Sequence, residues 1–246
     1  MDGEGDSMSS ILSEIPDWGG GTGSDAETWL NRGLRWVRHL EFESVEWETL
    51  VLQKSPRVPD CSSHLRCYAD PVWRRWVLAL FFADLASYSV SSDQVEFHRL
   101  AYLVASFPQG FTLAWAKIAG EYWPVGYTGW YPMSRTTFET FQNRPESLKT
   151  RMVVPVPESQ GVHPLVYLFN YSVAPSFKKT PFSKMLMKNY AQELASQDPG
   201  GLAAITVSDD GSRIAQRFGL SLVGEFRLGN ETERVFLTET CALPTV

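Results

Sequence analysis

Four lysines, Lys178, Lys179, Lys184 and Lys188, surround Pro181 just after an apolar run that ends Val173-Ala174-Pro175. Residues 165–173 read as a strand. Residues 182–194 read as a helix with Phe182, Met185, Leu186, Tyr190 and Leu194 on its apolar face. A strand that feeds a helix through a tight turn aims free backbone N–H groups at one point. That point is the positive end of the helix dipole, and it suits a phosphate or pyrophosphate. The candidate anion ligands are therefore Lys178, Lys179, Thr180, Phe182, Ser183 and Lys184. Pro181 fits the first position of a helix but removes one N–H donor, which lysine charge can replace. The competing reading is an ordinary solvated face.

The elements that must position this turn are legible from periodicity and punctuation. Residues 201–207 form an almost continuous apolar run, as in a strand covered on both faces. A short helix over 210–218 ends at Gly219, and 220–228 with 234–238 make a closing hairpin. Upstream, 111–118 and 122–131 are two strands joined at Ala119-Gly120-Glu121. Asp70-Pro71 opens a helix rich in buried-type residues, from Trp73 to Tyr88. Ser92-x-x-Val95 starts another, with Phe97, Leu100, Ala101, Val104 and Phe107 as its apolar set. Residues 47–53 are a short β-prone run, and Phe138 and Phe141 lie on a short helix. Residues 152–156 read as an edge strand because Pro155 and Pro157 cannot donate to a ladder. Ser24-Asp25-Ala26-Glu27 looks like a capping box before a helix that carries Trp29, Leu30, Leu34 and Val37. Residues 1–23 read as a disordered acidic, Gly-rich tail.

The chain has 246 residues, 43% apolar and 13% aromatic, enough for a sizeable core. A net charge of −6 and a pI near 5.3 argue against a general nucleic-acid-binding role. No apolar run is long enough for a membrane span. The N-terminus lacks the basic-then-apolar layout of a signal peptide, so a cytoplasmic setting is expected. Cys61, Cys67 and Cys241 are irregularly spaced and read as reduced thiols. Cys61-x-x-His64-x-x-Cys67 offers three metal ligands without a fourth, so no metal is expected.

Position by position, Val173 to Ser183 resembles the acyl-CoA-binding turn of the GNAT superfamily of N-acyltransferases, Val-x-Pro-x-x-Arg/Gln-x-x-Gly-x-Gly/Ala. Val173 and Pro175 match, Lys178 takes the basic place, and Pro181 and Ser183 stand where the two glycines are expected. Ser208 to Gly224 resembles the closing helix of that family and the strand after it. The resemblance implies an α/β fold: a mixed, mostly antiparallel sheet flanked by helices, here with an N-terminal helical extension. It would be a single domain over 24–246, mainly helical over 24–110, with the sheet and the acyl-CoA-binding part over 111–246. It also implies acetyl-CoA or another acyl-CoA as co-substrate. The pantetheine arm would then lie along Tyr171, Ser172 and Val173, where the 165–173 strand splays from the 201–207 strand.

The family places a tyrosine acid at the position of Ala215, which cannot donate a proton; Tyr171 and Tyr190 are the substitutes, each equally readable as a core aromatic. Transfer to an amine also needs a base or a path to water. Glu121 and His163 are the candidates, against the plainer readings of a solvated carboxylate and a loop histidine. The aromatic stretch 121–132 is either a strand packed on both faces or an apolar wall for an acyl chain or acceptor.

The expected activity is transfer of an acyl group, most simply acetyl, from acyl-CoA to an amine or hydroxyl. The acceptor would be a small molecule or the amine of a peptide or protein, and a homodimer is left open. Two alternatives keep the fold: a catalytically degenerate ligand- or partner-binding protein, and an acyltransferase that uses long chains or an acyl carrier protein whose acidic surface meets the lysines.

Overall fold

The structure, a computed structural model, describes residues 46–56, 70–88, 94–148, 153–156, 163–228 and 231–239. The expected tail over 1–23, the capping box at Ser24 with its helix, the Cys61–Cys67 segment, Ser92, Met152 and Cys241 lie outside the described residues.

The described strands are β1 (Thr49–Lys54), β2 (Phe111–Ile118), β3 (Glu121–Pro132), β4 (Leu165–Val173), β5 (Gly201–Thr206), β6 (Ser221–Leu228) and β7 (Glu231–Thr238). The helices are α1 (Pro71–Ser87), α2 (Phe97–Ser106), α3 (Arg135–Asn143), α4 (Pro181–Ser196) and α5 (Asp209–Arg217). The strands form one sheet in the order β1-β2-β3-β4-β5-β7-β6. Strands β4 and β5 run parallel, while β1–β2, β5–β7 and β6–β7 are antiparallel. This is the mixed, mostly antiparallel sheet flanked by helices that the sequence implies. By compactness the chain divides into two units: Met1–Tyr127 with Ser172–Leu186, and Thr128–Tyr171 with Met187–Val246. The division passes through β3, β4 and α4, each a continuous element.

In the first unit, α1 begins as its sequence dictates. Pro71 takes the first helical position, and the Asp70 carboxylate accepts from the Trp73 amide at 2.9 Å. The helix buries Trp73, Trp76, Val77, Leu80, Phe82 and Ala83, together with one acid, Asp84. That carboxylate accepts from the Tyr127 hydroxyl at 2.8 Å and from the Val95 amide at 2.7 Å. The Val95 N–H is held this way, and α2 starts at Phe97, later than the Ser92-x-x-Val95 reading places it. Strand β1 pairs with β2 from Thr49↔Lys117 to Lys54↔Thr112, so the region expected to be mainly helical also supplies an edge strand. The β2–β3 turn places Ala119 at φ 50° and Gly120 at φ 84°, the two positive φ values of a tight hairpin turn.

In the second unit, β5 is buried along almost its whole length. Gly201 sits so close to the Phe138 ring of α3 that a Cβ there would approach it to 2.6 Å. Ser208 caps α5 by accepting from the Gly211 amide at 3.1 Å, and Gly219, at φ 79°, ends it. Residues 153–156 do not form the expected edge strand. With a proline at 155 and another at 157, the segment is tied to β3 by isolated hydrogen bonds: Val156 N–H to Pro132 O at 3.0 Å, and the Tyr131 hydroxyl to Val153 O at 2.9 Å.

Candidate functional site

The site begins where two parallel strands part. Strand β4 pairs with β5 at Leu165↔Gly201, Val166↔Leu202 and Tyr167↔Ala203, and the β4–β5 ladder stops there among the described residues. Beyond Ala203, β5 keeps its register with β7, from Ala204↔Phe236 to Thr206↔Arg234. Residues 168–171 of β4 thus run past the end of that ladder.

In the first unit, β4 ends at Val173 and turns through a 3-10 segment, Pro175–Phe177. The Ala174 amide is anchored to Val125 O at 2.8 Å. Lys178 is extended and Lys179 takes the left-handed conformation, φ 62°, before α4 starts at Pro181. The buried rings of Phe177 and Phe182 meet edge to face, 5.3 Å apart, and fill the inside of the turn. Hydroxyls that could face a phosphate turn to the chain instead: Thr180 Oγ1 donates to Phe177 O at 2.7 Å, and Ser183 Oγ to Thr180 O at 2.9 Å. Lys178, Lys179 and Lys184 are exposed. Ser172 Oγ, on β4 just before the turn, is buried with no hydrogen-bond partner among the described residues. Such an atom costs stability unless a ligand or water completes it.

In the second unit, Tyr171 stacks on Tyr190 of α4, centroids 6.4 Å apart, and Tyr190 meets Phe218 edge to face at 5.3 Å. Tyr190 is fully buried and donates its hydroxyl proton to Gly129 O at 2.8 Å. Burial, reinforced by Glu193 and Tyr167, pushes its pKa well above the usual tyrosine value. Burial likewise raises the Tyr171 pKa, offset in part by the Arg217 guanidinium. Ala215, where the resemblance expects a tyrosine, is buried, and its carbonyl accepts from Phe218 N and Leu220 N, both at 3.1 Å.

Of the remaining candidates, His163 lies in the second unit and Glu121 in the first. His163 is exposed, its Nδ1 3.1 Å from the Asp198 carboxylate, ahead of the first residue of β4. Six strand steps separate Leu165 from Tyr171, a distance of roughly 20 Å. Glu121 is exposed at the head of β3 in the first unit. The aromatics of 121–132 pack mainly as core. Tyr127, Trp130 and Tyr131 are buried, and Tyr122 faces the Lys117 ammonium at 5.5 Å from its ring centre. A shallow cavity of about 380 Å³ opens elsewhere in the second unit, between α5 and the β6–β7 hairpin. Its cations are already engaged, Arg234 with Glu225 at 2.8 Å and with Asp209 at 3.0 Å, and Arg213 with Asp210. Among the described residues no cluster of metal-ligating side chains forms, and no helix is long and apolar enough to cross a membrane.

Solved structures align with the fold over most of the chain. The chain has the GNAT fold. It is similar to the NatC complex bound to Gag peptide and CoA, with 8% identity, a TM-score of 0.51, and 78% of this chain and 99% of that one covered. It is also similar to the loading GNATL domain of CurA from Lyngbya majuscula, with 12% identity, a TM-score of 0.52, and 78% and 98% covered. No protein-family model and no curated relative matches the sequence. At these identities the likeness is one of fold, so the chemistry of this GNAT fold must be argued from its own residues.

Proposed function

We propose that the chain is an acyltransferase. It takes an acyl group, most simply acetyl, from a phosphopantetheine thioester such as acyl-CoA and passes it to an amine or hydroxyl acceptor. The observation that carries this reading is the end of the β4–β5 ladder at Tyr167↔Ala203, a few residues before a basic strand-to-helix turn. A parted strand offers backbone groups to an amide-bearing arm, and the turn offers a helix N-terminus and lysines to its phosphate.

In this scheme the arm lies along Tyr171, Ser172 and Val173, and its amides complete the buried Ser172 hydroxyl. Lys178, Lys179, Thr180, Phe182, Ser183 and Lys184 surround the phosphate end, the lysines by charge and the others through backbone. The acceptor nitrogen or oxygen attacks the thioester carbonyl; the new bond to carbon forms, the C–S bond breaks, and sulfur leaves with the electron pair. Tyr171 donates a hydrogen bond to that sulfur. Its pKa is raised by burial and lies above the thiol range of about 8.5, so it keeps its proton and stabilises the thiolate. Tyr190 holds Tyr171 in place, its own hydroxyl being committed to Gly129 O. The acceptor's proton leaves to solvent. The thiolate takes a proton from solvent in return, which balances that loss.

A thermal-shift series with acetyl-CoA, longer acyl-CoAs and free CoA tests the reading, followed by an assay for thiol release with amine acceptors. Stabilisation by acetyl-CoA together with thiol release supports it. Binding without release points to a non-catalytic ligand-binding protein, and silence towards every thioester of this class sinks the proposal.

A further inference from the structure

We infer that the phosphopantetheine thioester reaches this chain on an acidic carrier protein, docked on the exposed face of α4 at Lys184, Met185 and Lys188. The inference rests on the acyl-transfer reading and concerns only what lies beyond the phosphate. Phosphopantetheine is the same arm in two chemical settings: a nucleotide follows its phosphate in CoA, and a serine of a folded protein follows it on a carrier.

A nucleotide carrier brings two adjacent phosphates, which call for a cradle of several backbone N–H groups. Pro181 leaves the turn one N–H short. The Thr180 and Ser183 hydroxyls donate inward, to Phe177 O and Thr180 O. One helix N-terminus with lysines around it suits a single phosphate.

Outside the turn the surface has the opposite character. From Ser159 to Gln192 the chain carries no Asp or Glu, although its net charge is −6. Lys178, Lys179, Lys184 and Lys188 fall inside that run, and all four are exposed. Lys184 and Lys188 are one helical turn apart on α4, and Met185, 36% exposed, lies beside them. An apolar contact bordered by charge of one sign is how a small protein interface is built, and complementary charge steers the partner onto it. The adenosine of a nucleotide carrier makes no use of an exposed methionine on the outer face of a helix.

Calorimetric titration of the full chain with three probes decides the matter: acetyl-CoA, acetyl-4′-phosphopantetheine, and a recombinant acidic acyl carrier protein bearing acetyl-phosphopantetheine. The carrier-bound thioester is expected to bind at least about tenfold tighter than either small probe and to lose that advantage as salt is raised. Met185→Glu and Lys188→Glu are expected to remove the advantage while binding of acetyl-4′-phosphopantetheine stays within about twofold, which also reports that the variants are folded. Tighter binding of acetyl-CoA than of the carrier-bound thioester overturns the inference and leaves the acyl-transfer reading standing. A carrier complex indifferent to both substitutions overturns the assigned surface. Failure of all three probes to bind overturns the inference and the reading together.

Discussion

Tyr171 and Tyr190 lie stacked, 26° between their planes, and the Tyr190 hydroxyl is locked to a backbone carbonyl, that of Gly129. In the proposed reaction Tyr171 is the chemical partner and Tyr190 the structural one. Tyr171→Phe is expected to lower kcat by about a hundredfold with little change in thioester affinity, the size of a lost hydrogen bond to the leaving sulfur in the transition state. Tyr190→Phe is expected instead to cost about 1–2 kcal/mol of stability, because it strands a buried carbonyl. Steady-state kinetics and denaturant unfolding of both variants check the division, and equal effects on kcat would refute it.

Gly126 of β3 closely approaches the end of β4. A Cβ at this position would sit 2.5 Å from Ser172 O and 3.3 Å from Val173 Cα, both backbone atoms that cannot yield by rotating a side chain. Gly126→Ala is expected to destabilise by about 1–3 kcal/mol and to blunt stabilisation by acetyl-CoA, since Ser172 and Val173 are the proposed arm contacts. Gly120→Ala is the control. Nothing lies within 4 Å of its Cβ position, so the cost comes only from φ 84°, about 1 kcal/mol, and ligand response should be untouched.

Asp84 and Tyr127 form a buried polar link in the first unit, with a hydroxyl-to-carboxyl distance of 2.8 Å and both side chains fully covered. Because Asp84 also accepts from Val95 N–H, it ties the approach to α2 back to α1. Tyr127→Phe is expected to cost about 1–3 kcal/mol, and a double-mutant cycle with Asp84→Asn should return a coupling of at least about 0.5 kcal/mol. Additive losses, read by denaturant unfolding, would show that the two groups act independently.

Alkaline pH should weaken the fold through the same tyrosines. Burial raises the pKa of Tyr171 and Tyr190 above the usual tyrosine value of about 10, so the folded chain keeps protons that the unfolded chain releases. More protons bound in the native state means that stability falls as pH rises above about 10, by at most about 1.4 kcal/mol per pH unit for each tyrosine. Between about pH 7 and 9 these groups contribute no slope. Urea unfolding at about pH 9 and pH 11 checks the sign, and Tyr190→Phe should flatten the alkaline limb.

Much of the fold was legible because its signals are local. Asp70-Pro71 at the head of α1, Ser208 before α5, Gly219 after it and the Val173-to-Pro181 turn each act within a few residues, so composition and spacing reveal them. The readings that shifted are those where a distant group intervened. Val95 joins the Asp84 carboxylate instead of opening α2, and residues 153–156 attach to β3 by isolated bonds because prolines interrupt the donors.

By itself the sequence determined the order of the elements, the basic turn and the absence of a tyrosine at position 215. The tertiary structure alone decided where the β4–β5 ladder ends, and that Ser172 Oγ is buried with no hydrogen-bond partner among the described residues. It also tied the Tyr190 hydroxyl to Gly129 O, a hydrogen bond between residues 61 apart in the chain. Caps and periodicities are properties of neighbours along the chain, whereas desolvation and hydrogen-bond partnership are properties of neighbours in space. A site made from the second kind becomes readable only once the chain has folded.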